Sequence, residues 1–587
     1  MDEPPAIGRP RIWALLLPLA AGAAAVVFSW QRWILPLVDS GREMDIPARL
    51  AAGERLYRDV TFYYGPAGPW INSLAIRLGG RHWVVLELLC AVLTAAILVL
   101  LYRLTARAGS VFSATVATTL AAVFCVGAPN GGGFLFPYSS SSLYALAGGL
   151  GALVGSGARP TLRNRALAAL GLALALTARV ELGAVAALLL LIAAVRSRPA
   201  REAVRGAVTI VAAGSLLALA AYAVAFAGIP WRDLVSAGPL THFFALPSAW
   251  SELYLRVSGL DAPAQSLRWL LLSLVLDAAI VSVAAYLAGP RFLFAALLAA
   301  ALLYFHLDGP RLDLPPLLFP LPVVAGVAAL AVLKSPLDER GRARFLLFGF
   351  SAVVASRVVL GLSPGAKMVA YCALPLPGLL ATAAVLAFDV LAPRLPDPGA
   401  FRRRIAAVLL ALGALFLYLL EGLDRNPHLV HLKTPAGSLR IPYSEAESIL
   451  EALDYLHRHA RGGDTLAAFP EGGFFNFVSG LRSPLREEQI FPGVLDRESE
   501  AAAVRRIDER RPRFVLLCNR STREYGPRSF GQDYAVDLWN EIEKRYVLTA
   551  SFGKAPPWAP VGVHRFFIRV YEPAPPPTGG SATGTVQ

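Results

Sequence analysis

Residues 12–37 read IWALLLPLAAGAAAVVFSWQRWILPL, an apolar run broken only by Gln31 and Arg32 towards its far end. A bilayer core about 30 Å thick needs roughly 20 apolar residues in a helix, and this run is long enough. It follows Arg9 and Arg11 and shows no small-residue cleavage site before the next polar segment. It therefore reads as a retained span rather than a removed signal peptide.

Outward from this run, further apolar stretches occur at 83–102, 111–127, 139–156, 166–178, 182–195, 206–228, 267–287, 292–305, 315–333, 345–362, 370–391 and 405–421, thirteen candidates in all. The pair 166–178 and 182–195 is short and reads either as two spans or as a re-entrant hairpin. Composition agrees with lipid as solvent. Of 587 residues, 56% are hydrophobic and 16% charged, where soluble domains carry roughly 25% charged residues. Such a chain exposes too much apolar surface for a soluble enzyme and is too apolar for a disordered one. The four cysteines, Cys90, Cys125, Cys372 and Cys518, are widely spaced and suggest neither a metal motif nor a disulfide framework.

The net charge is +14, and its distribution reads as topology. With the N-terminus in the cytoplasm, the short cytoplasmic segments hold 20 Lys and Arg, and the short outer connections hold only Arg179, Arg311 and Lys367. That asymmetry follows the positive-inside rule. The one standout basic run, Arg402-Arg403-Arg404, abuts an apolar stretch, and without an aromatic-basic stripe no nucleic-acid partner is expected. An odd number of spans puts everything after residue 421 outside the cytoplasm. The expected location is the inner (plasma) membrane, multi-pass, with a periplasmic or extracellular C-terminal domain. In that tail Ser444–Ala460 and Gln532–Lys544 have helical spacing, and Thr465–Phe469, Arg513–Leu517, Tyr546–Ser551 and Arg565–Tyr571 read as strands. The reading is a polytopic α-helical membrane protein of about thirteen spans with a C-terminal soluble α/β domain. Residues 1–421 form the transmembrane module, 422–572 the soluble domain and 573–587 a Pro/Gly/Ser/Thr-rich disordered tail.

The first outer loop, 38–82, carries the chemistry. It opens VDSGREMDIPARLAAGERLYRDVTFYYGPAGPW (38–70), with Asp39, Glu43, Asp45, Glu54 and Asp59 set among arginines. Asp39 sits at the membrane exit, where a carboxylate beside a substrate hydroxyl can act as general base; it can equally be a helix-end residue paired with Arg42. The elements Asp39-Ser40-Gly41-Arg42-Glu43, Gly53-Glu54-Arg55-Leu56-Tyr57-Arg58-Asp59 and Tyr64-Gly65-Pro66 resemble the opening loop of bacterial GT-C superfamily glycosyltransferases, namely the protein O-mannosyltransferase-like, aminoarabinose-transferase-like and lipopolysaccharide-core galacturonosyltransferase-like proteins. The resemblance is specific in this loop. Elsewhere it rests on span number, orientation and the outer C-terminal domain.

The resemblance implies a polyprenyl-phosphate sugar donor used on the outer face, with a lipid, glycan or protein hydroxyl as acceptor. It implies Asp39 as the catalytic base, with Asp45 a weaker candidate. Arg42, Glu43, Arg58, Asp59 and Tyr64 would support the loop, Asp59 by anchoring it through Arg58. The family often has an acidic residue directly after the catalytic aspartate, where this chain has Ser40, which puts a second-carboxylate or metal role in doubt. No metal site is expected from ligand spacing, no cofactor is fixed, and a divalent metal stays open.

The departing lipid phosphate needs cations at the outer span ends, and the planar guanidinium fork matches phosphate oxygens. Arg179, in LTARVELG beside Glu181, is one candidate; the alternative is a local pair that only fixes the hairpin. Lys367 and Arg357 are the others, with headgroup contact and a buried structural charge as their respective alternatives. Trp231, His242, Phe243, Phe244 and Trp250 in the second long outer loop read as an interfacial aromatic belt or as sugar-stacking groups. Residues 131–144 (GGGFLFPYSSSSLY) read as cavity lining or as a lead-in to a span. His306, Asp308, Arg311 and Asp313 read as a solvated turn. LAAFPEGG (466–473) lacks Walker spacing, and Asn519-Arg520-Ser521 is only a weak glycosylation pattern. The soluble domain is expected to cover the cavity or bind the acceptor rather than to supply catalytic groups. The alternative function is a transporter or lipid flippase with an accessory outer domain.

Overall fold

The structure is a computed structural model describing residues 12–32, 34–128, 132–157, 161–287, 291, 318–362, 373–424, 429–526, 529–556, 559–562 and 565–575. Helix α1 (Ile12–Ser29) is followed by two helices of the first outer loop, α2 (Asp39–Ala51) and α3 (Ala67–Gly79). The bundle continues through α4 (Trp83–Ala108), α5 (Val111–Ala121), α6 (Ser140–Ser156), α7 (Leu162–Ala178), α8 (Val180–Arg196) and α9 (Ala200–Phe226). Three short helices, α10 (Trp231–Ser236), α11 (Thr241–Phe244) and α12 (Ser248–Ser258), lead to α13 (Pro263–Tyr286). Helices Leu321–Val332, Glu339–Val354, Leu376–Val385 and Pro398–Asp424 complete the described bundle. Twelve of the thirteen apolar runs are thus wholly or largely helical, and the run 292–305 lies outside the described residues, as does the tail from 576.

The stretches Trp83–Ala108, Ala200–Phe226, Ser248–Tyr286 and Leu376–Arg394 are long and apolar enough to cross a membrane. Helix α9 shows why the solvent must be lipid. It exposes Leu216 (69%), Leu219 (65%) and Val224 (68%), and leaving such side chains in water forgoes about 1.5–3 kcal/mol each. The chain is membrane-embedded. Within the bundle α6 and α7 meet backbone to backbone at Gly148 and Gly171, where a Cβ on either would lie 2.5 or 2.8 Å from the other's carbonyl oxygen; small residues permit this approach in lipid. The short pair 166–195 forms two helices, α7 and α8, of 17 residues each, about 25 Å long at 1.5 Å per residue.

The C-terminal unit is α/β. Strands β1 (Leu429–Thr434) and β2 (Gly437–Pro442) form a hairpin, and β3 (Leu466–Phe469), β4 (Phe514–Cys518), β5 (Tyr546–Gly553) and β6 (Phe567–Pro573) form a sheet of order β3-β4-β6-β5. β3 and β4 are parallel, and β6 is antiparallel to both its neighbours. Side chains alternate across a strand, so β4 divides cleanly. Phe514, Leu516 and Cys518 face the helix Tyr443–His459, while Val515 and Leu517 face Arg497–Arg510 and Val536–Arg545. The hairpin and the helices Gly473–Ser479 and Arg497–Arg510 had no counterpart in the sequence reading.

This unit is packed onto the first loop. One apolar core joins Ile34, Met44, Ala48 and Trp83 to Leu432, Leu439, Phe474 and Leu516. The other face of α2 packs Ile46 and Leu50 with Tyr57, Phe62 and Ala225. α2 is therefore clamped between the soluble unit and α9. Gly41 makes this contact: a Cβ there would sit 2.6 Å from the Pro36 carbonyl oxygen and 2.8 Å from the Phe474 nitrogen.

Candidate functional site

Asp39 is the first residue of α2 and is about one-third exposed (side chain 35%). The Ser40 hydroxyl accepts from the Leu35 N–H at 3.2 Å, tightening the entry to the helix. One turn on, Arg42 lies 3.2 Å from Asp39 Oδ1. Arg42 is a hub. Its Nη1 donates to Gln489 Oε1 at 2.8 Å, and its Nη2 donates to the Tyr138 carbonyl at 2.7 Å and to Glu43 Oε1 at 3.1 Å. Burial opposes its charge, but Asp39 and Glu43 outweigh burial and keep it a cation. The second Glu43 oxygen accepts from the Ser140 N–H at 2.9 Å and hydroxyl at 2.5 Å, at the first turn of α6, where the helix dipole favours an anion.

The C-terminal unit reaches the same carboxylate. Gln489 Nε2 donates to Asp39 Oδ1 at 3.4 Å and to Glu471 Oε2 at 2.7 Å. Burial raises the carboxyl pKa of Glu471, Asp39 adds to the rise, and Arg520 at 3.0 Å opposes it. The soluble unit thus supplies side chains to the Asp39 environment, which the sequence reading had not assigned to it. Glu471 belongs to the LAAFPEGG stretch, so that stretch carries a site residue without being a phosphate loop.

Arg42 connects this carboxylate to a second group of residues through Tyr138. While the Tyr138 carbonyl accepts from Arg42, its hydroxyl lies 3.4 Å from Arg179 Nη2. A cavity of about 200 Å³ opens there, lined by Tyr64, Arg179, Glu181, His242, Tyr254 and Arg357 among others. Arg179 is buried at the α7–α8 junction, pairs with Glu181 at 3.2 Å and sits over the Tyr64 ring at 4.2 Å. Its Nε has no hydrogen-bond partner among the described residues. Arg357 lies over the Tyr254 ring at 5.6 Å. Burial alone would raise the Tyr138 phenol, and Arg179 and Arg357 reverse that to a net lowering.

Gly65 sets the floor of the cavity. Its N–H donates to the Ala178 carbonyl at 3.2 Å, and a side chain at this position would collide with the Thr177 carbonyl. The Tyr-Gly-Pro element therefore lets the first loop lie on the α7 end and slide Tyr64 beneath Arg179. His242 stacks on Tyr64 with centroids 5.8 Å apart and shares a 3.0 Å hydrogen bond with the Tyr254 hydroxyl. Burial, then Arg179 and Arg357, push its pKa down to about 4. It is a neutral polar group at neutral pH.

The remaining sequence candidates fall elsewhere. Asp45 is 1% exposed and faces the soluble unit, 3.5 Å from Arg81. Burial pushes its carboxyl well up and Glu488 adds to this, against Arg49 and Arg81. Neither Asp45 nor Asp39 is among the residues lining the cavity. Arg58 and Asp59 lie 3.5 Å apart, and Asp59 also accepts from the Arg55 N–H at 2.8 Å, closing a local turn. Lys367 and the group His306, Asp308, Arg311 and Asp313 lie outside the described residues. Of the second-loop aromatics, Trp231 (64%), Phe243 (57%) and Phe244 (67%) are exposed as a belt requires. His242 and Trp250 instead pack inward with Tyr63. The Asn519 amide is spent inside the domain, donating to the Arg565 carbonyl at 2.8 Å and accepting from the Gly562 N–H at 2.6 Å.

Tyr138, Tyr254, Glu471 and Gln489 were not singled out from sequence. Tyr138 had a signal, since it ends an outer connection just before the Ser139–Ser142 run; a neutral glutamine in a distant domain had none. The described residues build no evident site for a divalent metal. The Asp39 carboxylate is already engaged by a guanidinium and an amide, and among the described residues no three His, Cys, Asp or Glu side chains converge.

No protein-family model and no curated protein matches the chain. Solved structures do resemble it. The oligosaccharyltransferase of Archaeoglobus fulgidus in complex with Zn and sulfate is 15% identical, with a TM-score of 0.48 over 94% of this chain and 72% of that one. ArnT from Cupriavidus metallidurans bound to undecaprenyl phosphate is 12% identical, with a TM-score of 0.47 over 95% of this chain and 97% of that one. Both are likenesses of the chain trace at low identity.

Proposed function

We propose that this chain is an integral membrane glycosyltransferase, moving a sugar from a polyprenyl-phosphate carrier to a hydroxyl of a lipid, glycan or protein acceptor on the outer face. The observation that carries this reading is the pairing of Arg179 and Arg357 on one cavity, a single tyrosine away from the Arg42–Asp39 pair. The charged side chains lining the cavity are two arginines and Glu181, a net positive set with His242 neutral. A lipid phosphate entering this cavity would meet two guanidinium groups whose planar forks match its oxygens bidentately.

The step follows from that layout. The acceptor hydroxyl oxygen attacks the anomeric carbon as its bond to the phosphate oxygen breaks. The hydroxyl proton passes to Asp39, and the polyprenyl phosphate leaves as an anion held by Arg179 and Arg357, with Lys367 a further candidate. Base and leaving group on opposite sides of the sugar mean inversion. Holding both in place is the entropic part of catalysis, and Gln489 and Arg42 act as positioning residues for Asp39.

The test is purified protein in nanodiscs with a polyprenyl-phosphate sugar and a glycolipid acceptor, read by mass spectrometry. Net transfer with inverted stereochemistry supports the reading. Movement of the lipid donor across vesicles without any transfer replaces it with transport.

A further inference from the structure

A larger cleft, of about 790 Å³, lies outside that site and opens between the first outer loop and the C-terminal unit. Its size falls within the roughly 300–1,000 Å³ of small-ligand sites. Five arginines line it, Arg58, Arg482, Arg486, Arg506 and Arg510, against Glu54, Asp59 and Asp464. Two of the acids are committed elsewhere, and Asp59 lies 3.5 Å from Arg58 within the cleft wall. Glu54 pairs with Arg49 at 2.7 Å, Asp59 accepts from the Arg55 N–H and Asp464 from the Arg461 N–H, each at 2.8 Å.

Two of the arginines hold the walls together. Arg486 donates to the Tyr57 carbonyl at 2.7 Å and pairs with Asp233 at 3.4 Å, and Arg506 lies 3.4 Å from Glu487. Arg482 and Arg510 are exposed and make no side-chain hydrogen bond or ion pair among the described residues. Arg58, more than half exposed, also lines the cleft and is paired with Asp59 at 3.5 Å. Guanidinium groups left unpaired in a concave polar cleft match carboxylate or phosphate groups on a bound molecule. Thr465 and Ser483 also line the cleft, the Ser483 hydroxyl accepting from the Leu485 N–H at 3.2 Å.

We propose that this cleft binds an acidic saccharide, a sugar chain bearing carboxylate or phosphate groups, as the anchoring part of the acceptor. The proposal rests on the glycosyltransferase reading. The cleft and Asp39 share one segment: Arg486 lines the cleft and Gln489, three residues on, donates to Asp39, and the Cα atoms of these two residues lie at most about 11 Å apart at 3.8 Å per residue. A chain anchored by its acids at Arg482 and Arg510 would leave its next sugars free to extend towards the base.

The test uses the full-length protein in neutral-lipid nanodiscs and calorimetric binding of trigalacturonate, with maltotriose as its neutral counterpart and inorganic phosphate as competitor. Trigalacturonate is expected to bind at least tenfold tighter than maltotriose, more weakly as salt rises, and to be displaced by phosphate only at far higher concentration. The double substitution Arg482→Glu/Arg510→Glu should weaken it at least tenfold with the melting temperature and polyprenyl-phosphate binding unchanged. Should that variant fail to fold, Arg482→Gln/Arg510→Gln serves the same comparison. Variant affinity within twofold of the parent, equal binding of maltotriose, or displacement by phosphate at matching affinity overturns the proposal. No turnover is read, so loss of transferase activity and loss of this site are separable results.

Discussion

Replacing Asp39 by Asn separates chemistry from architecture, because the two contributions of this carboxylate differ in size. Structurally it makes a 3.2 Å pair with Arg42 while about one-third exposed, and a screened pair of that kind contributes less than about 1 kcal/mol. Asparagine keeps the shape and an oxygen that still accepts from Arg42 and Gln489. Chemically it cannot take the acceptor proton, and loss of a positioned general base costs about 10²–10⁴ in rate, or roughly 3–5 kcal/mol of barrier. Since the base acts only in the transition state, kcat and kcat/KM should fall together. The KM for donor should hold, because the phosphate is assigned to Arg179 and Arg357. The assay is transfer of a radiolabelled sugar by purified protein in nanodiscs, with melting temperatures measured in parallel. An Asp39→Asn protein that melts normally and turns over within threefold of the parent would refute the assignment.

Three further outcomes follow from the same geometry. Arg179→Met removes a charge-assisted contact worth about 1.5–3 kcal/mol and should raise donor KM about tenfold to a hundredfold, while Arg179→Lys, which keeps the charge but loses the fork, recovers only part; unchanged donor saturation curves would exclude the phosphate role. The folded-state pKa of His242 is depressed to about 4 from an ordinary 6.5, so the unfolded chain binds a proton first and stability, intact above about pH 6.5, drains as pH falls towards 4, by up to about 3 kcal/mol. His242→Gln should therefore flatten the fall in melting temperature between pH 7 and pH 4.5, and a parallel fall in both proteins would count against it. Arg49→Ala strands buried Glu488 and the carbonyls of Asp59 and Leu485, a loss of about 3–5 kcal/mol, whereas Arg232→Ala, from the exposed pair with Glu498, should cost less than about 1 kcal/mol; limited proteolysis of the C-terminal unit distinguishes them, and equal resistance of both variants would contradict the buried network.

What could be read from sequence divides by distance along the chain. Spans were legible because lipid demands a run of minimum length, and Trp83–Ala108 and Ala200–Phe226 are helices long and apolar enough to cross a membrane. Strands such as Phe514–Cys518 were legible as short apolar runs. The hairpin Leu429–Pro442 was not, because its apolar face is completed in part by Ile34, Met44 and Trp83, hundreds of residues earlier in the chain. The same holds for the site. Asp39, Arg42, Arg179 and Arg357 have local signals, a membrane exit or a charge in an apolar setting. Gln489 lies 450 residues from Asp39, and no periodicity or spacing reports a contact of that kind. Asp45 carries the same local signal as Asp39, and α2 buries it among Arg49, Arg81 and Glu488 while Asp39 stays about one-third exposed.

The five residues from Asp39 to Glu43 explain why the first loop is helical at this point. A helix places residues three apart on one face, which brings Arg42 back onto Asp39. It also leaves Glu43 free to seat on the N-terminus of α6 through Ser140. Between them Ser40 tightens the entry turn and Gly41 admits the backbone of Phe474. Without that approach Gln489 and Glu471 would stand back from the carboxylate. The segment thus ties the Asp39 oxygen pair to three neighbours: the preceding turn through Ser40, the soluble unit through Gly41 and Arg42, and the start of α6 through Glu43. A carboxylate that only ended a helix would need its Arg42 partner and none of the rest.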